Sequence, residues 1–220
     1  MKIIKRFLCF LIVAMTGLNA YAQHSTSELH IYHGNIRDLE SLQRGAGYFM
    51  NMCAGCHDLQ YMRYSQMADA IGVEEYQLGS LMPLGSSILN PMINSMEDVD
   101  AARWFGVAPP DLSLVSRSLG NDYLYSFLTG FYADSSRPSG VNNHYLENTS
   151  MPNVLWQYYE DGSEGPSIEM VATDLVNFLD IVGEPIQVYR QDLGVKVIGF
   201  LLLFLFIAYA LKKEIWKEVK

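Results

Sequence analysis

Cys53, Cys56 and His57 stand together in the pentapeptide Cys53-Ala54-Gly55-Cys56-His57, and their types and spacing match the attachment signature for c-type haem. Two thiols three positions apart can add across the two vinyl groups of one porphyrin. The adjoining imidazole is then held where it can bind the iron as proximal ligand. A structural zinc site needs about four ligands, and the remaining histidines are scattered along the chain. A thioredoxin-like dithiol is the other common use of Cys-x-x-Cys, but no strand–helix pattern of that fold surrounds these residues. The motif predicts one covalently bound haem c.

The two ends of the chain place this motif in a compartment. Residues 1–22 read as a cleaved signal peptide: Lys2, Lys5 and Arg6 form a basic start, Phe7 to Leu18 an apolar run, and Ala20-Tyr21-Ala22 a cleavage site. Cys9 would leave with it. Export carries Cys53 and Cys56 to an oxidising space, where they become either a disulfide or haem thioethers. His57 favours the thioethers. At the other end, residues 193–211 form an apolar run broken only by Lys196, which can snorkel to the interface. Nineteen helical residues reach about 28 Å, close to a bilayer's hydrocarbon thickness. Lys212, Lys213, Lys217 and Lys220 follow in the tail 212–220, which the positive-inside rule puts in the cytoplasm. The expectation is a single-pass protein of the bacterial inner membrane, with residues 23–192 as a periplasmic haem domain.

That domain is acidic. It holds seven arginines, no lysine and 22 Asp plus Glu, a formal balance of −15. Such a field repels nucleic acid and anionic lipid and steers a basic partner at a salt-dependent rate. Clusters at Glu74-Glu75, Glu97-Asp98-Asp100 and Glu160-Asp161…Glu164 are candidate docking charges, or simply solvated ones. Helical period dominates over strand alternation. Asn35 can cap a helix carrying Leu39, Leu42, Ala46, Phe49 and Cys53 at three- and four-residue steps. Gly45 and Gly47 lower its propensity but bare a surface that another helix can cross closely. Ser167 can cap a second helix with the face Ile168, Val171, Leu175, Phe178 and Val182, ended by Gly183 and Pro185. Weaker helices are expected over 95–105 and 121–129. A short helix leading into the haem motif, then loops and a closing helix, describe a mainly α, class I-like cytochrome c fold with long loop insertions and one C-terminal transmembrane helix.

A soft thioether is the natural second axial ligand for such an iron. Met50, Met52 and Met62 lie too near the motif to cross to the opposite face, and Met170 falls inside a periodic helix. Met82, Met92, Met96 and Met151 are the candidates weighed, with His144 as a rival of different chemistry. Order along the chain favours Met151, in an irregular stretch just before the closing helix, where cytochrome c folds place their distal loop.

The chain resembles the cytochrome c1 family, the haem subunits of quinol–cytochrome c reductase, in its short bacterial form. Besides the haem motif the resemblance rests on Tyr61-Met62-Arg63-Tyr64, on Trp104 to Ser113 with its Ala108-Pro109-Pro110-Asp111-Leu112-Ser113, on Asp122-Tyr123-Leu124-Tyr125, on Arg137-Pro138-Ser139-Gly140, on Met151-Pro152-Asn153 and on the C-terminal anchor. It implies thioethers at Cys53 and Cys56, proximal and distal bonds from His57 and Met151, Pro110 packed by the haem edge, and Tyr123 nearby. The family usually follows Asp-Leu-Ser with two arginines one residue apart, one of which meets a haem propionate. Here the stretch reads Arg117-Ser118-Leu119, so either Arg117 or a distant residue such as Arg137 has to take that part.

The resemblance further implies an electron-transfer subunit that makes and breaks no substrate bond. It would be held by cytochrome b, reduced by the Rieske iron–sulfur subunit, and oxidised by a soluble or anchored cytochrome c, basic in charge. Alternatives are the haem c subunit of a terminal oxidase or nitric oxide reductase type of complex, or a tethered disulfide oxidoreductase. The acidic balance makes one expectation measurable. Reduction of a basic cytochrome c by this chain slows as salt is raised; a flat rate against ionic strength would remove electrostatic docking.

Overall fold

Gly45 lets two helices approach closely, and the arrangement of the haem motif starts there. Helix α1 (Leu39–Tyr48) crosses helix α6 (Ile168–Gly183) at this residue. A Cβ at position 45 would stand 2.1 Å from the carbonyl oxygen of Asp174 and 2.8 Å from Phe178 Cβ. The computed structural model describes residues 28–80, 82–83, 85–159 and 165–217. The expected signal over 1–22 and the acidic cluster Glu160, Asp161 and Glu164 lie outside the described residues.

Around the crossing, Leu42, Ala46 and Phe49 meet Val171, Leu175 and Phe178, all buried, with the rings of Phe49 and Phe178 5.6 Å apart. Each large side chain removed from water here contributes about 1.5–3 kcal/mol. A polar seam runs through the same contact. The carboxylate of Asp174, a buried residue, accepts from Ser41 Oγ and from Nε and Nη2 of Arg44 at 2.7 and 3.0 Å. Asn177 donates to Ser41 Oγ at 2.6 Å and accepts from the Tyr32 hydroxyl. Desolvating a carboxylate is costly unless its oxygens are paired in this way.

The helix starts depart from the sequence expectation in one place. Asp38, not Asn35, caps α1, its carboxylate accepting from Ser41 N. Asn35 instead closes a tight turn before the helix, accepting from Arg37 N with its side chain and from Asp38 N with its carbonyl. Two Asx residues three apart compete for one helix end, and the later one wins because Asn35 satisfies the turn. Ser167 caps α6 as expected, accepting from Met170 N. Gly47 differs from Gly45: no atom lies within 4 Å of where its Cβ would be, so only one of the two glycines serves the crossing.

Helix α2 (Tyr64–Ile71), a 3-10 turn over Glu75–Ser80, helix α3 (Asp98–Phe105), helix α4 (Val115–Leu119) and helix α5 (Asn121–Thr129) fill the space between. Helix α3 begins three residues later than expected. Two short antiparallel pairs join them: β1 (Leu59–Arg63) with β2 (Pro91–Met92), irregular in register, and β3 (Phe131–Ala133) with β4 (Val141–Asn143). From α2 to β2 the described residues fold onto the domain, with Met67, Leu78 and Met92 buried. Helix α7 (Gln187–Ile215) has a mean hydropathy of 2.4 in its most apolar window and no residue of that window buried. Twenty-nine residues reach about 43 Å, longer than the expected 193–211 and long enough to cross a bilayer with its first turns outside.

Gly45→Ala is expected to lower stability by about 3 kcal/mol or to block folding, because backbone stands where the methyl would go. Gly47→Ala is expected to be neutral or to gain up to about 1 kcal/mol of helix propensity. Thermal unfolding by circular dichroism checks the pair; equal midpoints would contradict the crossing.

Candidate functional site

Helix α1 does not stop cleanly. It widens into a π-turn over Phe49–Cys53, closed by Ala54 N donating to Phe49 O at 2.9 Å. Such widened turns concentrate at functional sites because they re-aim side chains. The amides of Cys56 and His57 then both donate to Cys53 O, at 3.0 and 2.9 Å. The pentapeptide is wound around that one carbonyl, which brings both thiols and the imidazole into one compact turn.

The Nδ1 of His57 lies 2.8 Å from the carbonyl oxygen of Pro110. A carbonyl only accepts, so Nδ1 carries the proton and Nε2 keeps its lone pair for a metal. Burial holds the His57 pKa below its usual value, against the opposing pull of the Pro110 carbonyl and of Asp58 and Asp111. A neutral imidazole is the form that binds iron.

The Pro110 carbonyl is fixed by a zipper between residues 57–61 and 110–113. Leu112 N donates to Asp58 O at 2.8 Å, Gln60 N to Asp111 Oδ2 at 2.9 Å, and Tyr61 N to Ser113 Oγ at 3.1 Å. Asp111 also accepts from Ser113 N with its second oxygen. From the other side Asn94 donates to Cys56 O and to Asp58 Oδ1 at 3.1 and 2.8 Å. The sequence expectations give Asp58 and Asn94 no part, and Asp111 and Ser113 only a place in the motif that carries the resemblance. The spacing Asp111-x-Ser113, an Asx turn in the making, was the available signal for two of them.

A cleft opens beside His57, walled by Phe49, Tyr64, Met92, Ile93 and Asn94. The residues present fit a covalently held haem. Cys53 and Cys56 are free of any disulfide, Gly55 between them faces open space, and the adjoining imidazole has its far nitrogen uncommitted. Among the described residues, no group of three or more His, Cys, Asp or Glu side chains could hold a bare metal ion. Burial pushes the Cys53 thiol up to about 12, the reverse of the low value an attacking redox thiol needs.

Met151, Tyr123, Arg117, Arg137 and His144 are not among the residues that line this cleft. Met151 is half-buried in the loop after β4, its amide donating to Thr149 Oγ1 at 3.3 Å, and it does not line the cleft as Met92 does. Tyr123 packs against the core and stacks on Phe127, and burial raises its pKa. Arg117 is exposed on α4 and donates to Glu184 beyond the end of α6. Arg137 donates twice to Asn148 and keeps its Nε buried without a partner. His144 is exposed and stacks on Tyr132 with ring centres 4.4 Å apart.

The chain is similar over most of its length to one family model and to known proteins, among them the following. The Cytochrome C1 family model matches residues 33–83 and 85–219. A cytochrome c1 of Allochromatium vinosum is 40% identical, covering 96% of this chain and 96% of its own. The ammonia monooxygenase gamma subunit of Nitrosomonas europaea is 36% identical, covering 97% and 99%, and a cytochrome c1 of Rhodospirillum rubrum is 29% identical, covering 83% of each. The match runs from before the haem motif through the apolar C-terminal helix, and on that ground the chain belongs to the cytochrome c1 family.

Proposed function

We propose that this chain is the membrane-anchored monohaem electron carrier of a quinol–cytochrome c reductase complex, set between a Rieske iron–sulfur subunit and a cytochrome c. The observation that carries the reading is the His57–Pro110 hydrogen bond at 2.8 Å, made beside two unpaired thiols in a chain of this family. Haem c, when bound, supplies a one-electron couple. Cys53 and Cys56 would hold it by thioethers, so that its edge stays at one place through many turnovers. His57 would ligate through Nε2, with its ring plane and tautomer fixed by Pro110. Met151 would supply the distal sulfur, which favours the ferrous state and raises the potential relative to two imidazoles. The apolar walls from Phe49, Tyr64 and Met92 would keep water from the proximal side. Cytochrome b would hold α7 in the lipid of the inner membrane, and the −15 field of residues 23–192 would collect a basic acceptor from the periplasm.

A second reading keeps the same haem chemistry in another membrane complex. It is favoured by the Nitrosomonas europaea relative, which is named as a subunit of ammonia monooxygenase. Purification in mild detergent distinguishes the two. Co-purification of b-type haem and a Rieske cluster supports the first reading, and their replacement by other subunits overturns it.

Met151→Leu is expected to leave the haem covalently attached while lowering its midpoint potential and abolishing turnover. Met92→Leu, which preserves volume inside the fold, is expected to leave the potential nearly unchanged. Redox titration of the two variants checks the assignment. An unchanged potential in Met151→Leu, or the large drop appearing in Met92→Leu instead, would move the distal bond away from Met151.

A further inference from the structure

Asn148 has a φ of 62°, the left-handed conformation, and no other non-glycine residue among those described does. That region is disfavoured for side chains in general, least so for Asn, and is held more firmly where the surroundings bond to it. Here three of its four polar atoms are bonded: the backbone N–H, the backbone carbonyl and Oδ1. Arg137 donates through Nη1 to Asn148 Oδ1 and through Nη2 to Asn148 O, both at 2.9 Å. The Asn148 amide donates to Asn142 Oδ1, also at 2.9 Å. Asn142 is buried in β4 and donates onward to Asp134 Oδ2 at 3.0 Å. Asp134 and Arg137 both lie in the turn joining β3 to β4, which is closed by Asp134 N on Gly140 O and Arg137 N on Asp134 O. A small hairpin therefore grips one strained residue on three sides.

The gripped residue stands three positions before Met151. Between them Thr149 is buried, and its Oγ1 accepts from the Met151 amide at 3.3 Å. After Met151 the chain is stiffened by Pro152 and pinned again where Leu155, 1% exposed, donates to Asn153 Oδ1. Met151 thus spans a short bridge with both piers fixed, and Arg137 holds the upstream pier. A thioether is a weak ligand for ferric iron, so its occupancy depends on how firmly the protein presents it. A slack loop would let water or an added base compete.

We propose that Arg137 is a positioning residue for the distal sulfur. It acts through Asn148, by holding the left-handed turn from which Met151 is presented, and makes no contact with the iron itself. The inference rests on the reading of Met151 as distal ligand.

The test uses the full chain in its detergent-solubilised complex, with covalent haem content confirmed for each variant. Two readouts are taken on the ferric protein: the weak red absorption band that marks thioether–iron ligation, and the affinity for added imidazole. Arg137→Gln is expected to weaken the band and to tighten imidazole binding about tenfold, the scale of losing charge-assisted hydrogen bonds. Arg137→Lys, which restores one donor, is expected to fall between. Asn148→Ala, which keeps the arginine but lacks the side chain it grips, is expected to reproduce the effect and serves if Arg137→Gln fails to assemble. Wild-type band and imidazole affinity in both Arg137→Gln and Asn148→Ala, with the band lost in Met151→Leu, would overturn the role of Arg137 and leave the ligand reading standing. A band that survives in Met151→Leu would overturn the ligand reading, and the role of Arg137 with it.

Discussion

The close approach of α1 to α6 at Gly45 is the constraint from which the rest follows. Backbone meets backbone there, so the axial position of α1 is set by Asp174 and Phe178 rather than by adjustable side chains. The π-turn and the Cys53–His57 pentapeptide continue directly from that helix, and they inherit its placement. The Ser41–Asp174–Arg44 seam reinforces the same register, since sliding α1 by one turn would strand a buried carboxylate.

Beyond the crossing, the site is assembled with little regular structure. Two short strand pairs and loops with side-chain-to-backbone bonds take over the task. The zipper between 57–61 and 110–113 uses Asp111 and Ser113 to satisfy amides that no sheet partner reaches. This is consistent with the rule that buried backbone groups find partners, and it explains why a mainly helical domain carries so many Asn, Asp and Ser residues in its loops.

What the sequence disclosed depends on how local each interaction is. The Cys53–His57 motif, the Ser167 cap and the C-terminal apolar run are all contained within a few neighbouring residues, and each stood out. The cap expected at Asn35 falls at Asp38 instead, because both side chains carry an acceptor oxygen and only the preceding turn decides between them. The partner of His57 is a backbone carbonyl 53 residues away, and a carbonyl leaves no mark in residue identity. Asn94 and Asn148 were equally silent, since their work depends on what the fold brings beside them. The expectation of a distal role for Met151 rests on order along the chain and on family resemblance, not on any physical signature of its own.

The junction between α6 and α7 is short and charged. Glu184 accepts from Arg117 on one side and from Arg190 on the other, while Arg37 grips Asp192 through both of its terminal nitrogens at 3.3 and 2.8 Å. Exposed pairs of this kind are individually weak, but these three fasten the first turns of the anchor to two separate parts of the globular body. Contacts of this kind set the direction in which α7 leaves the globular body.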